Sequence, residues 1–415
     1  PGECHFLPPA IIVRGSSNIY SALRMGRAYM INRRYVLSGL LAFCLPLTAA
    51  AQDINTAPSA LADGWAVAKP TEAGLDPQAL AELVEKVDTG WIPNVHALLI
   101  EHQGQLVFER YWPGEDDSVA GPLGYVDHGS ATLHDIRSIT KSVTSLLLGI
   151  ALGGSGEDAL ARPIATFFPE RENLGSRLNA VTLHHVLTMT AGLAWNETIV
   201  PYTDDRNDYG RLVTTEDPIG YVFAKELRDT PGSHWNYNSG LTDLTAGVIE
   251  NLTGQPLIDY ADEMLFGPLG ITDYEWLRPR AWPKDVFPSA GAGLRMRARD
   301  LAKVASLLVH DGTWQECRIV PKDWLTVSTT PHVQDFPWSF GGVYGYGYFW
   351  YPGTVKDGRS PIHGRTVIRA SGFGNQGLFI VPDAGLAITV FAGNYEDSSS
   401  AVDIRLMGLI ARALR

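Results

Sequence analysis

Ser138-Ile139-Thr140-Lys141, running on into Val143-Thr144-Ser145-Leu146-Leu147-Leu148-Gly149-Ile150, is the stretch on which the reading of this chain turns. A polar segment gives way there to an apolar run long enough for a buried helix. Residues three apart share one face of a helix, so the Lys141 amine comes within hydrogen-bond reach of the Ser138 hydroxyl. A neutral amine in that position can take the hydroxyl proton and turn a serine into a nucleophile without a histidine. Two simpler readings compete: Ser138 as a helix cap that needs nothing from Lys141, and Lys141 as a solvated surface residue. For Lys141 to act as a base its pKa, about 10.4 in water, must fall toward neutrality, and its apolar neighbours offer the burial that would lower it.

Two segments further along the chain could join this pair. Pro231-Gly232-Ser233-His234-Trp235-Asn236-Tyr237-Asn238-Ser239-Gly240 is a turn that feeds a helix over Leu241 to Leu252. Tyr237 could share a proton with Ser138 and pass it to a leaving group, provided cationic neighbours lower its pKa; buried tyrosines also simply anchor loops. Ser239 is a helix N-cap by position, and a hydrogen-bond donor to the site if its loop faces the cleft. The second segment, Ala370-Ser371-Gly372-Phe373-Gly374-Asn375-Gln376-Gly377, contains a GxGxxG pattern. A dinucleotide fingerprint needs a strand followed by a helix, and here strand follows strand, so no nucleotide site is expected. Glycines at a strand end let a ligand approach the backbone, and the N–H of Phe373 could supply half of an oxyanion hole with that of Ser138.

Around these motifs, Val95 to Glu101 and Leu106 to Trp112 read as two strands about a short turn. The pattern between Ser138 and Arg295 is helical, with apolar-periodic segments at Leu183 to Met189, Pro218 to Leu227, Leu241 to Leu252 and Ile258 to Leu265. After a helix over Leu301 to His310, strand-like runs return at Tyr344 to Trp350, Thr366 to Ser371, Gly377 to Val381 and Ala387 to Ala392, and an amphipathic helix closes the chain over Ala401 to Leu414. The expected architecture is α+β: an antiparallel sheet built from both chain ends (52–137 and 296–415) and flanked by helices, with an inserted, mainly α-helical lobe (138–295). The cleft between them is the expected site.

The chain has 415 residues, 45% of them apolar, and a net charge of −12. That charge argues against nucleic acid and anionic membrane surfaces as partners, both of which call for clustered Lys and Arg. Residues 1–51 differ from the rest. After Met30, Asn32-Arg33-Arg34 forms a basic region, Tyr35 to Leu47 an apolar one, and Ala49-Ala50-Ala51 a small-residue cleavage site, the pattern of a signal peptide over about 30–51. A periplasmic or secreted protein without stable membrane insertion is therefore expected, and the Arg33-Arg34 pair also permits twin-arginine export. Removing the five arginines and one glutamate of residues 1–51 leaves a net charge of −16. It also removes Cys4 and Cys44, so Cys317 is expected to stand without an intramolecular disulfide. No GxSxG, HExxH or P-loop is present, and the adjacent His184-His185 point to different helix faces. No cofactor and no metal are expected, and His134, His234 and His363 receive no role.

With its three segments in this order, the chain resembles the serine β-lactamase and penicillin-binding-protein superfamily. The resemblance is to the class C-like branch, which also holds family VIII carboxylesterases and 6-aminohexanoate-dimer hydrolases. It runs from about Gly74 to the end and rests on Arg137-Ser138-Ile139-Thr140-Lys141-Ser142, His185-Val186-Leu187-Thr188-Met189-Thr190-Ala191-Gly192-Leu193, Phe266-Gly267-Pro268-Leu269-Gly270-Ile271 and Gly293-Leu294-Arg295-Met296-Arg297-Ala298-Arg299-Asp300-Leu301. It implies Ser138 as the acylated nucleophile, Lys141 as its base and Tyr237 as the proton shuttle. Two departures matter. The Tyr-x-Asn of class C β-lactamases reads Tyr237-Asn238-Ser239, as in the 6-aminohexanoate-dimer hydrolase type, and the usual Lys-Thr-Gly reads Ala370-Ser371-Gly372. The missing lysine helps bind substrate carboxylates, and an alanine cannot do so.

Neutral acyl substrates are therefore expected over anionic ones, and small carboxylic esters fit best. The loop from Trp195 to Asp208, with Tyr202, occupies the place of a substrate-covering segment in 6-aminohexanoate-dimer hydrolases, which keeps a short linear amide open as substrate. β-Lactamase or D-Ala-D-Ala peptidase action, and a catalytically silent binder of acyl or peptidoglycan-like ligands, are the other readings. The acyl pocket would be shaped by Trp195, Trp235 and Trp338.

Overall fold

A computed structural model describes residues 53–171, 176–334, 345–397 and 401–415. The signal-peptide reading and Trp338 lie outside the described residues. Seven strands form one sheet in the order Ala66–Val67, Gln105–Tyr111, Val95–His102, Leu386–Ala392, Gln376–Val381, Thr366–Gly372, Tyr351–Thr354. The two chain ends meet at its centre, where Val95–His102 pairs antiparallel with Leu386–Ala392. The sheet is mixed rather than wholly antiparallel, because the short strand Ala66–Val67 runs parallel to Gln105–Tyr111.

Side chains alternate between two cores with the period of a strand. Leu98 and Ile100 join a core with Leu80, Leu83 and Val84 of the helix Pro77–Asp88 and with Leu406 and Ile410 of Val402–Ala413. Ala97 and Leu99 face the opposite core, shared with Leu301, Val304 and Leu308 of Ala298–Val309 and with the helical segments from Ile139 onward. With both faces covered, the central strands are buried almost throughout, and their middles are apolar instead of alternating. This explains why Ala97 to Ile100 reads as a continuous apolar run. The turn between the first hairpin strands sets Gln103 at φ 53° and Gly104 at φ 80°, the two left-handed positions of a tight turn that matches strand twist.

The sequence reading places a strand at Tyr344 to Trp350, whereas the strand begins only at Tyr351. Tyr346, Tyr348, Phe349 and Trp350 are all buried and make irregular backbone, held in part by the bridge between Val333 and Tyr346. An aromatic-rich run mimics strand composition whenever it packs into a core. Among the elements beyond the sequence reading are the helix Pro77–Asp88, capped by Asp76, and the hairpin Gly114–Ser118/Gly121–Val126. Cys317, expected to stand unpaired once residues 1–51 are removed, is disulfide-bonded in the full chain. Among the described residues no helix is long and apolar enough to cross a membrane.

The helix that carries the decisive motif runs over Ile139–Leu152 and ends on Gly153, whose φ of 71° gives the left-handed C-cap that only glycine adopts without cost. Every residue from Ile139 to Gly149 is buried, which marks a helix at the centre of the molecule. It packs against Gly240–Thr253, the helix that follows Tyr237 and Ser239. That packing joins the first two motifs; the third arrives from the sheet.

Candidate active site

Ser138 sits at the N-cap position of its helix but makes no side-chain cap hydrogen bond, which disposes of the simple capping role. Its hydroxyl faces the other two predicted residues: the Tyr237 O–H donates to Ser138 Oγ at 2.8 Å, and Lys141 Nζ lies 3.2 Å from the same oxygen. Arg137, immediately before it, is held at φ 50°, a conformation that costs a non-glycine residue on the order of 1–3 kcal/mol. The Arg137 guanidinium donates to Asp117 O at 2.7 Å, and its carbonyl accepts from Thr140 Oγ1 at 2.6 Å. This sharp bend presents Ser138 outward at the start of an otherwise buried helix.

Lys141 is 3% exposed. Its amine donates to the Gly291 carbonyl at 2.6 Å and lies 5.0 Å from the centre of the Tyr237 ring. Burial lowers its pKa to about 8, against the opposing pull of Glu197 and Asp243. At pH 7 roughly one Lys141 in ten is then the neutral amine, far more than a solvated lysine would provide. Tyr237 behaves differently from expectation. Burial pushes its phenol well above the ordinary value and Glu197 adds to the effect, while hydrogen bonds to Ser138 and Ser239 only partly oppose it. No cation wins there, so the phenol stays protonated: it is a proton donor and relay, not a phenolate.

Two acids that the sequence reading missed hold this arrangement. Glu197, from the loop after Trp195, accepts from Ser239 Oγ at 2.6 Å, Ser239 N at 2.8 Å and Trp195 Nε1 at 2.8 Å. Ser239 is thus fixed on a carboxylate and, despite its N-cap position, caps nothing; the neighbouring Asn238 Oδ1 accepts the Leu241 N–H instead. Asp243, one helical turn past Ser239, is fully buried and accepts the Ala290 N–H at 3.0 Å. Burial raises its pKa to about 8. It ties down the loop whose Gly291 carbonyl receives Lys141. Glu197 stands in an irregular loop, where no periodicity advertises a buried acid. Asp243 did leave a signal: a lone carboxylate on the core face of the apolar helix Gly240–Thr253.

The third motif closes the site from the sheet. A Cβ on Gly372 would come within 2.5 Å of the Ile136 carbonyl and 3.1 Å of Arg137 Cβ, so only glycine lets the strand end lie against the approach to Ser138. Phe373 follows at the turn and is 42% exposed. Tyr202 meets that ring edge to face at 6.3 Å, and its hydroxyl lies 3.5 Å from Glu197 Oε1. Tyr202 and Phe373 therefore form an aromatic rim, one side from the helical segment and the other from the sheet. Ser371 Oγ accepts from Arg369 at 3.1 Å, and Arg369 is ion-paired with buried Asp403. Trp195 and Trp235 are buried beneath this surface, Trp195 as the hydrogen-bond donor to Glu197 and Trp235 with its ring 5.6 Å from Tyr346. His184 and His185 are structural: His184 bonds the Tyr348 hydroxyl at 2.9 Å, and His185 completes a capping box with Thr182.

Chemically, the cluster offers a hydroxyl with a partly neutral amine as proton acceptor, a protonated phenol as donor, and a helix N-terminus facing a strand end where negative charge could be held. The sequence model of the beta-lactamase family matches residues 80–412. Among curated relatives, esterase EstB of Burkholderia gladioli is 29% identical over 223 residues, 49% of this chain and 55% of that protein. The 6-aminohexanoate-dimer hydrolase of Paenarthrobacter ureafaciens is 28% identical over 199 residues, 46% of this chain and 49% of that one. The chain thus spans about half the length of these relatives. Two solved structures share the fold: EstCE1, a hydrolase with promiscuous acyltransferase activity (TM-score 0.60, 17% identity, 80% of this chain and 99% of that one), and the octameric penicillin-binding protein homologue of Pyrococcus abyssi (TM-score 0.59, 20% identity, 80% and 76%). Motif order, fold and a family match over most of its length agree, and the chain belongs to the beta-lactamase family.

Proposed function

We propose that this protein is a serine hydrolase that cleaves small neutral carboxylic esters through an acyl-enzyme. The observation that carries the reading is the Ser138 hydroxyl, 2.8 Å from Tyr237 and 3.2 Å from the buried Lys141 amine. Neutral Lys141 takes the proton as Ser138 Oγ bonds to the substrate carbonyl carbon. The carbonyl oxygen becomes an oxyanion held by the N–H groups of Ser138 and Phe373. When the tetrahedral intermediate collapses, Tyr237 gives its proton to the departing alkoxide and is reprotonated from Lys141. Water then attacks the acyl group with the same pair acting as base, the acid leaves, and Ser138 recovers its proton.

The preference for neutral substrates is supported by what replaces the carboxylate-binding lysine. Ala370 is fully buried, Arg369 is committed to Asp403, and Arg137 is committed to Asp117 and stacked on Tyr395 at 4.7 Å. An anionic substrate would meet no unspent guanidinium from either. Esters are preferred over amides because an alkoxide is the easier group to expel. Tyr202, standing over the site beside Phe373, suits a short linear amide as the second reading. The basic, apolar and small-residue pattern of residues 30–51 further supports export to the periplasm or beyond.

A p-nitrophenyl ester of a short acyl chain tests the mechanism. The expected result is a burst of one nitrophenol per chain and a loss of on the order of 10⁴–10⁶ in kcat in Ser138→Ala. Absence of any burst, with no acyl adduct on Ser138 by mass spectrometry, would instead favour a silent binder. Nitrocefin and an aminohexanoate dimer, run in parallel, rank the substrate classes, and a dominant nitrocefin rate overturns the ester assignment.

A further inference from the structure

Four buried side chains outside the active site bring metal-ligand atoms together. His96 lies on the central strand Val95–His102, Asp116 on the hairpin strand Gly114–Ser118, His128 in the link after that hairpin, and His134 four residues before Ser138. All four are buried, and one ligand atom from each lies within 4.8 Å of the other three. His96 Nδ1 is 2.9 Å from His134 Nε2, and Asp116 Oδ1 is 3.4 Å from His134 Nε2 and 3.9 Å from His96 Nδ1.

The surrounding hydrogen bonds fix where the protons are. His134 Nδ1 faces the Asp135 carbonyl at 3.0 Å; a carbonyl only accepts, so Nδ1 carries the hydrogen and Nε2 presents a lone pair. His96 Nε2 faces Asn94 Oδ1 at 3.2 Å, and the Asn94 amide is oriented by donating to Glu115 O at 3.0 Å. His96 therefore carries its hydrogen on Nε2 and presents the Nδ1 lone pair. Two bare nitrogen lone pairs thus face each other beside a carboxylate oxygen that already accepts from Tyr395 O–H at 2.9 Å and from Asp117 N at 2.8 Å. His128 Nε2 has no hydrogen-bond partner among the described residues, and its ring stacks on His96 at 4.0 Å. Two buried imidazole lone pairs facing each other with no donor between them are costly. One added proton would bridge a single pair and leave His128 and Asp116 as they are; a divalent ion satisfies all four.

We propose that His96, Asp116, His128 and His134 form a closed, four-ligand site for a zinc-class divalent cation. Three imidazoles and one carboxylate are a donor set that suits zinc, and four protein ligands describe a structural rather than a catalytic centre. A tetrahedral ion with bonds of about 2.0–2.1 Å sets its donor atoms roughly 3.3–3.4 Å apart; the separations among His96, Asp116 and His134, 2.9, 3.4 and 3.9 Å, straddle that value, and His128 completes the set within 4.8 Å. The Asp135 carbonyl and Asn94 are the outer-shell acceptors that orient metal-bound imidazoles. The ion fastens the sheet and hairpin to the segment entering Ser138. Tyr395, bonded to Asp116, carries the contact on, with Arg137 4.7 Å from its ring centre and the Phe373 ring 5.9 Å from it. This site is independent of the hydrolase assignment, and it revises the expectation, drawn from sequence spacing, that no metal is present.

The test is chelator-treated full-length protein titrated with Zn²⁺ and with Co²⁺, read by calorimetry, metal content and visible absorption. The expected result is one equivalent per chain, the intense visible bands of four-coordinate cobalt, and a Tm rise of about 3–4 °C at a hundredfold excess over Kd. His128→Phe keeps the stacked ring and removes a ligand. It should weaken binding by more than about 100-fold, beyond the ~10–100-fold cost of losing an outer-shell partner. The exposed His363→Gln serves as the control and should match the parent protein. Substoichiometric metal, weak octahedral absorption, or equal affinity in His128→Phe overturns the proposal. If His128→Phe does not fold, His128→Gln replaces it, and the parent's stoichiometry and cobalt spectrum decide the matter by themselves.

Discussion

Two helices of equal length meet at this site, Ile139–Leu152 and Gly240–Thr253, and each begins with a serine that declines to cap it. Elsewhere in the chain Asp76, Thr182, Asn207 and Asp217 all cap their helices in the ordinary way, accepting a backbone N–H. Forgoing such a cap costs about 1 kcal/mol, so a serine that does so twice in one cluster has been diverted. What distinguishes the two is the partner. Ser239 donates its proton to the Glu197 carboxylate at 2.6 Å, which fixes the hydroxyl as scaffold. Ser138 faces an amine and a phenol, which leaves its proton transferable. The proposed nucleophile and the scaffold serine differ not by residue type, helix position or backbone angle, but by the charge and basicity of what stands about 3 Å away.

The comparison breaks most visibly at the base. Lys141→Met keeps the packing of the stem and removes the proton acceptor, and kcat/KM toward a nitrophenyl ester should fall by about 10²–10⁴; a change of less than tenfold would move the base elsewhere. Ser239→Ala removes one donor to Glu197 and leaves the chemistry of Ser138 intact. The expected loss in kcat/KM is around tenfold, roughly the effect of one hydrogen bond to a charged group. A loss as large as that in Lys141→Met would make the two serines equivalent and undo the distinction.

The smallest effect is on pH dependence. Lys141 is basic only when neutral, so kcat/KM should climb as pH rises through about 8, where burial has brought its pKa, and level off above. Glu197 raises that pKa. Glu197→Gln should therefore move the rising limb to lower pH without abolishing activity, whereas a limb that stays in place would remove Glu197 from the electrostatics of Lys141. The linked stability has a definite sign. Lys141 is depressed in the folded protein, so the cost of burying its charge is present below about 8 and is relieved as pH rises toward the unfolded value of 10.5. Asp243 works in the opposite sense: its folded pKa is raised from 3.8 to about 8, so stability falls across that window as pH rises.

How much of this was legible in the sequence follows from what each signal depends on. Ser138 and Lys141 are one helical turn apart, and their relation is fixed by local geometry alone. Tyr237 and the Gly372-Phe373 turn could be located as loops bearing chemistry, and the structure brings both beside Ser138, but the protonation state of Tyr237 was misjudged. Burial and Glu197 raise its pKa, opposed only by hydrogen bonds to Ser138 and Ser239, and burial and Glu197 are not properties of nearby sequence. Glu197 and the Gly291 carbonyl were invisible for the same reason, since Ser239 and Lys141, which they receive, lie tens of residues away; Asp243 showed only as a lone carboxylate on an apolar helix face, without its partner Ala290. The histidine cluster is the extreme case: His96, Asp116, His128 and His134 show no ligand spacing along the chain, because sheet register and a hairpin, not a helix face, bring them together.

By itself, then, the sequence determined the periodicities that make the strands and helices, the meeting of both chain ends in one sheet, and the serine–lysine pair one turn apart. All of these are local, or follow from the need to bury apolar faces. Only the tertiary structure decided which serine is free to react, which acid steadies it, that the phenol keeps its proton, and that three imidazoles and a carboxylate converge. Those outcomes depend on desolvation and on charges a few ångströms away in space, and neither exists until the chain has folded.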